Sequence, residues 1–292
     1  MRIRDLFSTD GPVFSFEFFP PKTDDGERKL LETVYRLKEL APGFVSVTKT
    51  GVKPPEKTIE ITARIKHEVG IEAMTHMTCA TAGRDEMARI FGLIRDAGIE
   101  NVLALRGDPP RDQPTFVRPP DGFRYACELV RFIREQRYPF CLGGAAYPET
   151  HPECLTAELN LAHLQEKIAA GVEFIITQLF YENTHYFRFV ERARAAGVTV
   201  PIVPGIMPIT NVAQIERIAS LSGAHIPVAL QRDLDAARGD DPAALQIGIA
   251  YATDQCRELL ARGAPGIHFY TLNQSPATWA ILHRLRAEQR AS

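Results

Sequence analysis

Short apolar runs alternate with amphipathic stretches along nearly the whole chain. The runs are rich in β-branched and aromatic residues, which favours strands over buried helices. Eight of them occur, at residues 13–19, 44–49, 72–79, 101–108, 141–147, 174–181, 200–207 and 266–273. This alternation is typical of parallel β-strands joined by helical crossovers. The pattern therefore favours an α/β fold in which eight units close into a (β/α)8 TIM barrel, rather than an open sheet.

The stretches between the runs have the apolar periodicity of helices. Several end in a small pair such as Ala-Gly, which is common at helix C-termini. The clearest helices are predicted at residues 27–40, 86–97, 123–134, 157–170 and 184–196. Only the crossover at 211–264 is long, so we expect one or two extra helices there, including one at 242–262, before the last strand. No interdomain linker interrupts the pattern, which predicts a single domain over residues 1–292.

One connection differs from the others in composition. Residues 109–122 follow the fourth run directly and are rich in Pro, Arg and Asp. Long loops that follow barrel strands usually cover the active face, so we expect this position for the loop. An ordinary surface loop is the alternative.

Composition and charge narrow the class of protein. The chain has 292 residues, 45% of them hydrophobic, and a net charge of -2, so we expect a small-molecule substrate and neither a nucleic-acid nor a membrane partner. No run reaches the roughly 18 apolar residues of a membrane helix, and the first ten residues lack the apolar core of a signal peptide. Five scattered cysteines without a CxxC pair indicate reduced thiols in a cytoplasmic protein and no metal site.

The first run contains a carboxylate at an unusual place. In FSFEFFPP, alternation along the strand places Glu17 on one face with Val13 and Ser15, while Phe14 and its alternating phenylalanine neighbours lie on the other. We expect the phenylalanines to face the helices and Glu17 to point inward. Desolvation raises the pKa of a buried carboxyl group, which suits it to general acid catalysis. A structural carboxylate paired with a buried cation is the alternative.

Polar residues also close several other runs. In a barrel, reactive groups come from the carboxyl ends of the strands, and buried polar groups without partners are costly. The residues in these positions are Thr48, His76, Arg106, Gly107, Asp108, Tyr147, His151 and Gln178. Their number is hard to explain by packing alone, although a single inward histidine such as His76 is often a satisfied core residue.

Common nucleotide-binding and hydrolase motifs do not occur in the sequence. There is no GxGxxG, GxxxxGK[ST], GxSxG or HExxH. A nicotinamide or flavin nucleotide would therefore have to bind at the mouth of the barrel.

Eight segments of the sequence resemble the bacterial methylenetetrahydrofolate reductase family. They occur in the family's order and span the chain from about residue 11 to 285. The segments are FSFEFFPPK (14–22), FVSVT (44–48), HMTC (76–79), LALRGDPP (103–110), AAYPETHPE (145–153), ITQLFY (176–181), PGIMPIT (204–210) and HFYTLN (268–273).

The resemblance implies a flavin-dependent ping-pong reaction. NADH or NADPH would reduce FAD, and methylenetetrahydrofolate would then be reduced to methyltetrahydrofolate. By the same resemblance Glu17 is the general acid, Asp108 lies beside the flavin and pterin rings, and Gln178 and Gln214 contact the substrate. The residues implied for FAD are Thr48, His76, Arg106, Gly107, Asp108, Tyr147, His151, Asn160 and Lys167. Resemblance to the family also implies a homo-oligomer.

The chain departs from the family pattern at several positions. Lys49 stands where the family usually has tyrosine, and Asn160 stands where it commonly has aspartate. Ile218 replaces a common phenylalanine, and Gln274 replaces a cation expected near the folate tail. These changes bear on how tightly FAD and the folate tail are held.

Three other functions are compatible with the same residues. The enzyme could run the reaction in the oxidative direction on methyltetrahydrofolate, or the chain could be a non-catalytic folate- or flavin-binding subunit of a methyl-transfer complex. A Schiff-base aldolase that uses Lys49 is the third.

Overall fold

Parallel strands and helices alternate along the chain, as the sequence pattern predicts. The structure is a computed structural model and describes residues 1–9, 11–49, 54–80, 82–107, 121–273 and 276–291. The strands are β1 (Val13–Phe18), β2 (Phe44–Val47), β3 (Ala73–Thr78), β4 (Asn101–Leu105), β5 (Cys141–Ala146), β6 (Phe174–Thr177), β7 (Ile202–Val203), β8 (Gly205–Ile206) and β9 (Gly266–Tyr270). The helices are α1 (Ile3–Leu6), α2 (Asp24–Lys38), α3 (Glu56–Arg64), α4 (Arg84–Asp96), α5 (Ala126–Glu135), α6 (Ala157–Ala170), α7 (Asn183–Ala195), α8 (Val212–Ser222), α9 (Val228–Ala236), α10 (Asp241–Ala261) and α11 (Pro276–Ala291). A π-helical segment, Ile65–Val69, continues α3.

Residues 200–207, the seventh predicted run, close the strands into a barrel. Their order in the sheet is β7-β6-β5-β4-β3-β2-β1-β9-β8, all in parallel. The two edge strands β7 and β8 are halves of the predicted run at 200–207, so that run pairs with β6 on one side and with β9 on the other. The expected (β/α)8 barrel is confirmed.

The seventh strand is not continuous, and the prediction of one strand there is wrong. Pro204 separates β7 from β8 because proline has no N–H for the ladder. Its carbonyl oxygen still accepts a hydrogen bond of 3.0 Å from the His268 N–H. Gly205 follows, and a Cβ at this position would lie 2.2 Å from the Thr177 carbonyl oxygen. Only glycine allows β8 to approach β6 this closely.

The two faces of β1 have different surroundings, as alternation predicts. Phe14, Phe16 and Phe18 are fully buried in the large cluster between the strands and the helices. Burial of each such side chain stabilises the fold by about 2–3 kcal/mol relative to exposure. Val13 instead belongs to the cluster inside the barrel, where its apolar companions include Phe44. Glu17, two positions along from Ser15, therefore points inward.

Two of the helices begin at a threonine that caps their first turn. The Thr23 hydroxyl accepts a hydrogen bond from the Gly26 N–H at the start of α2, and Thr156 does the same for Leu159 at the start of α6. Three helices, α8, α9 and α10, occupy the long crossover, which confirms the expected extra helices. Within the described part of the chain no helix has the length and apolar character needed to cross a membrane.

Several predicted strands extend too far at their carboxyl ends. The run at 174–181 leaves the sheet after Thr177, and the run at 266–273 leaves it after Tyr270. Leu272 and Asn273 have positive φ angles of 50° and 61°, which are incompatible with a strand. The predicted strands were too long because the alternation of apolar and polar residues continues beyond the point where the backbone leaves the sheet.

Candidate active site

Glu17 lies inside the barrel between two imidazoles. Only 7% of the residue is exposed, and its Oε2 is 3.5 Å from the Nε2 of His76 on β3 and 3.5 Å from the Nε2 of His268 on β9. Its register partners on the adjacent strands are Ser46 and Tyr270. A carboxyl group therefore sits at the centre of a polar layer contributed by four strands.

His268 is the main residue of this layer that the sequence analysis missed. It is fully buried, its Nδ1 lies 2.8 Å from the Ser15 Oγ, and its ring stacks on Phe44 with centroids 6.0 Å apart. The signal was present, because His268 and Tyr270 alternate along the last strand as Ser15 and Glu17 do along the first. Two short alternating polar rows on adjacent strands would have identified both sides of the layer.

His76 is held in its neutral form. Burial lowers the pKa of His76 to about 4, although the neighbouring Glu17 opposes this shift. Among the described residues no side chain or backbone group makes a hydrogen bond to its Nε2. At neutral pH the carboxyl group of Glu17 therefore has an uncharged imidazole beside it rather than a permanent cation.

Thr48 follows β2 at the same level of the barrel. The residue is 6% exposed, and its Oγ1 likewise makes no hydrogen bond within the described chain. Its backbone is fixed, because its N–H donates to Phe18 and its carbonyl oxygen accepts from Thr58. Buried polar atoms without a hydrogen-bond partner are uncommon in native proteins, so the hydroxyl is available to a molecule bound at the mouth.

Lys49 extends from the end of β2 into a neighbouring cavity. Its Nζ donates a hydrogen bond of 3.3 Å to the Thr78 Oγ1, and burial lowers the pKa of the ammonium group. The cavity has a volume of about 450 Å³, and its wall also includes Pro20, Lys22 and Thr58. Glu17 does not line it, so the cavity adjoins the polar layer without containing it.

At the end of β4 Arg106 and Gly107 are described, whereas the predicted Asp108 and most of the predicted loop at 109–122 lie outside the described residues. The Arg106 guanidinium makes two hydrogen bonds of 2.6 Å to the carboxylate of Glu153. Gly107 has a φ of 86°, and a Cβ there would lie 2.8 Å from Thr78. The backbone at Gly107 thus requires glycine.

The segment after β5 brings three predicted residues together. The rings of Tyr147 and His151 meet edge to face with centroids 4.5 Å apart. Asn160 on α6 donates from its Nδ2 to the Tyr147 carbonyl oxygen at 3.0 Å. The carboxamide thus has a structural role, holding α6 to the end of β5.

Lys167 lies on α6, with its ammonium group directed at β5. It donates a hydrogen bond to the Ala145 carbonyl oxygen. Burial lowers the pKa of Lys167 to about 8. The ammonium form therefore still predominates at pH 7 and is lost as the pH rises above 8.

The two predicted substrate contacts lie on separate elements. Gln178 follows β6, and its Oε1 accepts a hydrogen bond of 2.9 Å from the Leu179 N–H. Gln214 is in the first turn of α8, where its Oε1 accepts from the Thr210 hydroxyl at 2.8 Å. Among the hydrogen bonds of the described residues, neither glutamine is joined to Glu17.

Tyr270 links the two sides of the barrel mouth. Its hydroxyl donates to the Thr177 carbonyl oxygen at 2.7 Å. Burial holds the pKa of Tyr270 well above its usual value, and the charges of Glu17 and Tyr147 add to the effect. Within the described ranges no group of three His, Cys, Asp or Glu residues could hold a metal ion.

Comparison with known proteins identifies the family. The sequence matches the family described as "Methylenetetrahydrofolate reductase" over residues 2–286. It is 38% identical to "Methylenetetrahydrofolate reductase (NADH) 1" of Arabidopsis thaliana, over 97% of this chain and 50% of that protein. It is 37% identical to "5,10-methylenetetrahydrofolate reductase" of Escherichia coli, over 93% of this chain and 90% of that protein. The chain thus spans about half the length of the plant relative and most of the bacterial one.

A solved structure supports the fold. A Clostridium thermocellum protein that binds two copies of 5-methyl-5,6,7,8-tetrahydrofolic acid has a TM-score of 0.68 to this chain. The two chains are 16% identical and cover each other completely, which shows a shared barrel. Because the family match covers nearly the whole sequence, this chain belongs to the methylenetetrahydrofolate reductase family.

Proposed function

We propose that the protein is a flavin-dependent methylenetetrahydrofolate reductase. It would convert 5,10-methylenetetrahydrofolate to 5-methyltetrahydrofolate with electrons from NADH or NADPH in a ping-pong reaction, and residues 1–292 would form one catalytic domain. The carrying observation is the inward carboxyl group of Glu17 between His76 and His268. Membership of the family and the name of the bacterial relative, most of whose length the chain covers, support the same reaction.

The residues at the barrel mouth fit FAD as the resident cofactor. Thr48 Oγ1 and His76 Nε2 are buried polar atoms that make no hydrogen bond within the described residues. Lys167 and Arg106 would provide positive charge for the pyrophosphate. When bound, the flavin would take hydride from the nicotinamide and pass it to the folate carbon.

Glu17 would supply the proton for the folate step. Opening of the methylene bridge leaves a negative charge on the departing folate nitrogen, and a carboxyl proton delivered there neutralises it. His76 is neutral at the working pH, so it does not hold Glu17 in an ion pair. The inward position also keeps bulk water away from the carboxyl group.

Glu17→Gln tests this role because it removes the proton but keeps the shape. We expect the rate of folate reduction to fall about 10²- to 10⁴-fold, while reduction of the flavin by NADH stays nearly unchanged. Anaerobic stopped-flow absorbance of the flavin measures the two half-reactions separately. Equal loss of both would show that the role of Glu17 is misassigned.

Glu27→Gln is the matched control. Glu27 is also a buried glutamate, but it lies on α2 and pairs with Lys57 and Arg64. Its substitution should lower stability and leave the ratio of the two half-reactions unchanged. A purified wild-type protein that is colourless and cannot be reconstituted with FAD would refute the proposed function.

A further inference from the structure

The chain turns sharply just beyond the last strand, beside the end of β1. Leu272 and Asn273 follow one another in the left-handed region, with φ angles of 50° and 61°. Neither residue is glycine, and residues in this region are strained unless their surroundings hold them there. The contacts of residues 271–273 hold them in this conformation.

The side chain of Asn273 replaces the backbone ladder where the strand has ended. Its Oδ1 accepts a hydrogen bond of 2.7 Å from the Phe19 N–H, and its Nδ2 donates one of 2.8 Å to the Phe19 carbonyl oxygen. A parallel neighbour strand would have supplied the same acceptor and donor from its main chain. The carboxamide thus continues the pairing of β1 while its own backbone turns away.

Thr271 binds the same segment one step earlier. Its N–H donates to the Glu17 carbonyl oxygen at 3.3 Å, and its hydroxyl donates to the same oxygen. From the β2 side, the Thr48 N–H donates to the Phe18 carbonyl oxygen at 2.8 Å. Residues 17–19 are therefore held from both sides: by Thr48 on one side and by residues 271–273 on the other.

We infer that Asn273 is a positioning residue for the carboxyl group of Glu17. The inference rests on the proposed function, in which Glu17 must present a proton at one point in the mouth. Asn273 fixes Phe19, two residues beyond Glu17, and Thr271 fixes Glu17 itself. Without the carboxamide the end of β1 loses two hydrogen bonds on one side, and a displacement of about 1 Å at a reacting group can cost about 100-fold in rate.

Two substitutions separate the carboxamide from the backbone conformation. Asn273→Ala removes both hydrogen bonds, and Asn273→Gly removes them while easing the positive φ. We expect folate reduction to fall about 10- to 100-fold in both variants, with flavin reduction by NADH changed less than about threefold. Recovery of folate reduction in the glycine variant would show that the turn, and not the carboxamide, matters, and would overturn the inference.

Asn183→Ala provides the matched control. Like Asn273, Asn183 donates from its Nδ2 to a main-chain oxygen, that of Gln255 at 3.0 Å, but it is buried and joins α7 to α10. Its loss should lower stability without altering the ratio of the half-reactions.

A second measurement uses the flavin-free protein. Because His76 and His268 lie 3.5 Å from the Glu17 carboxyl group, their ring signals in NMR spectra of histidine-labelled protein report its position. These signals should shift in both Asn273 variants and stay in place in Asn183→Ala. If either the signals or the ratio of half-reactions is unchanged in the Asn273 variants, the inference fails. A wild-type protein that binds flavin but does not reduce the folate would instead overturn the proposed function.

Discussion

The two ends of the barrel differ in how far their buried polar groups are hydrogen-bonded. At the amino ends of the strands, Lys66 binds both Glu72 and Glu100, and Asn101 accepts a hydrogen bond of 2.8 Å from the Ile3 N–H. At the carboxyl ends, Thr48 Oγ1 and His76 Nε2 make no described hydrogen bond.

This difference separates stability from function. The polar groups named at the amino end satisfy one another, so their loss should cost folding free energy. The carboxyl end holds polar atoms that make no hydrogen bond within the described residues, so changes there should cost ligand binding or catalysis more than stability.

The largest expected effect on stability is at the amino end. Asn101→Ala removes hydrogen bonds to Ile3 and Glu72 from a fully buried site, so we expect a loss of about 2–4 kcal/mol in the free energy of unfolding. Urea unfolding measures it. The turnover of the remaining folded protein should match the wild type; a disproportionate loss of turnover would remove the distinction between the two ends.

The next effect is on the pH dependence of stability, through His76. Its pKa is about 4 in the folded protein and near 6.5 when unfolded, so the unfolded state binds more protons between these values. Stability should therefore fall as pH decreases from about 6.5 to 4, and His76→Gln should reduce that fall by about 1–3 kcal/mol. Unfolding experiments at several pH values test this, with the exposed His283→Gln as control. Equal slopes in all three proteins would contradict it.

Lys167 gives a smaller effect, on FAD binding. Because its pKa is about 8, the charged form that attracts a pyrophosphate is lost above that pH. We expect FAD affinity to fall about tenfold from pH 7 to pH 9. Lys167→Arg stays charged and should abolish this dependence. Quenching of flavin fluorescence reports the affinity, and a pH dependence retained in the arginine variant would exclude Lys167 as its source.

The smallest effect should come from Thr48→Val. The hydroxyl has no described partner, so its removal should leave the flavin-free protein as stable as the wild type, or up to about 1 kcal/mol more stable. FAD affinity should nevertheless fall about five- to tenfold. Thr75→Val is the control, because Thr75 is another buried threonine without a partner that alternates with His76 and so faces away from the interior. A stability loss only in Thr48→Val would mean that the mouth is satisfied internally.

The alternation of eight apolar runs with amphipathic helical stretches predicted the barrel, and the two-residue repeat was used within the first run. The same repeat placed Glu17 inside and the phenylalanines outside. The interruption at Pro204 could also have been anticipated, because proline cannot donate to a ladder. Contacts between distant segments were not accessible in this way: the pairing of Asn273 with Phe19 spans 254 residues and depends on where the backbone leaves the sheet. His268, by contrast, could have been found, because its alternation with Tyr270 is visible in the sequence and the predicted closure of the ring brings β9 beside β1.

The site was predicted only in part. Thr48 Oγ1 and His76 Nε2 are buried and make no described hydrogen bond, and burial lowers the pKa of Lys167 to about 8. The roles of these three residues in FAD binding stay predictions, as do the contacts of Gln178 and Gln214 with substrate and the part of Asp108, which lies outside the described residues.

The broken seventh strand has a further consequence for the shape of the rim. Between β6 and β8 the join is made by side chains, with the Gly205 N–H donating to the Thr177 hydroxyl and Tyr270 donating to the Thr177 carbonyl oxygen. Side-chain hydrogen bonds can exchange partners with little backbone rearrangement, whereas the main-chain hydrogen bonds of a continuous ladder cannot. Under the proposed ping-pong reaction, we expect the rim to adapt at this seam, first to a nicotinamide and then to a pterin.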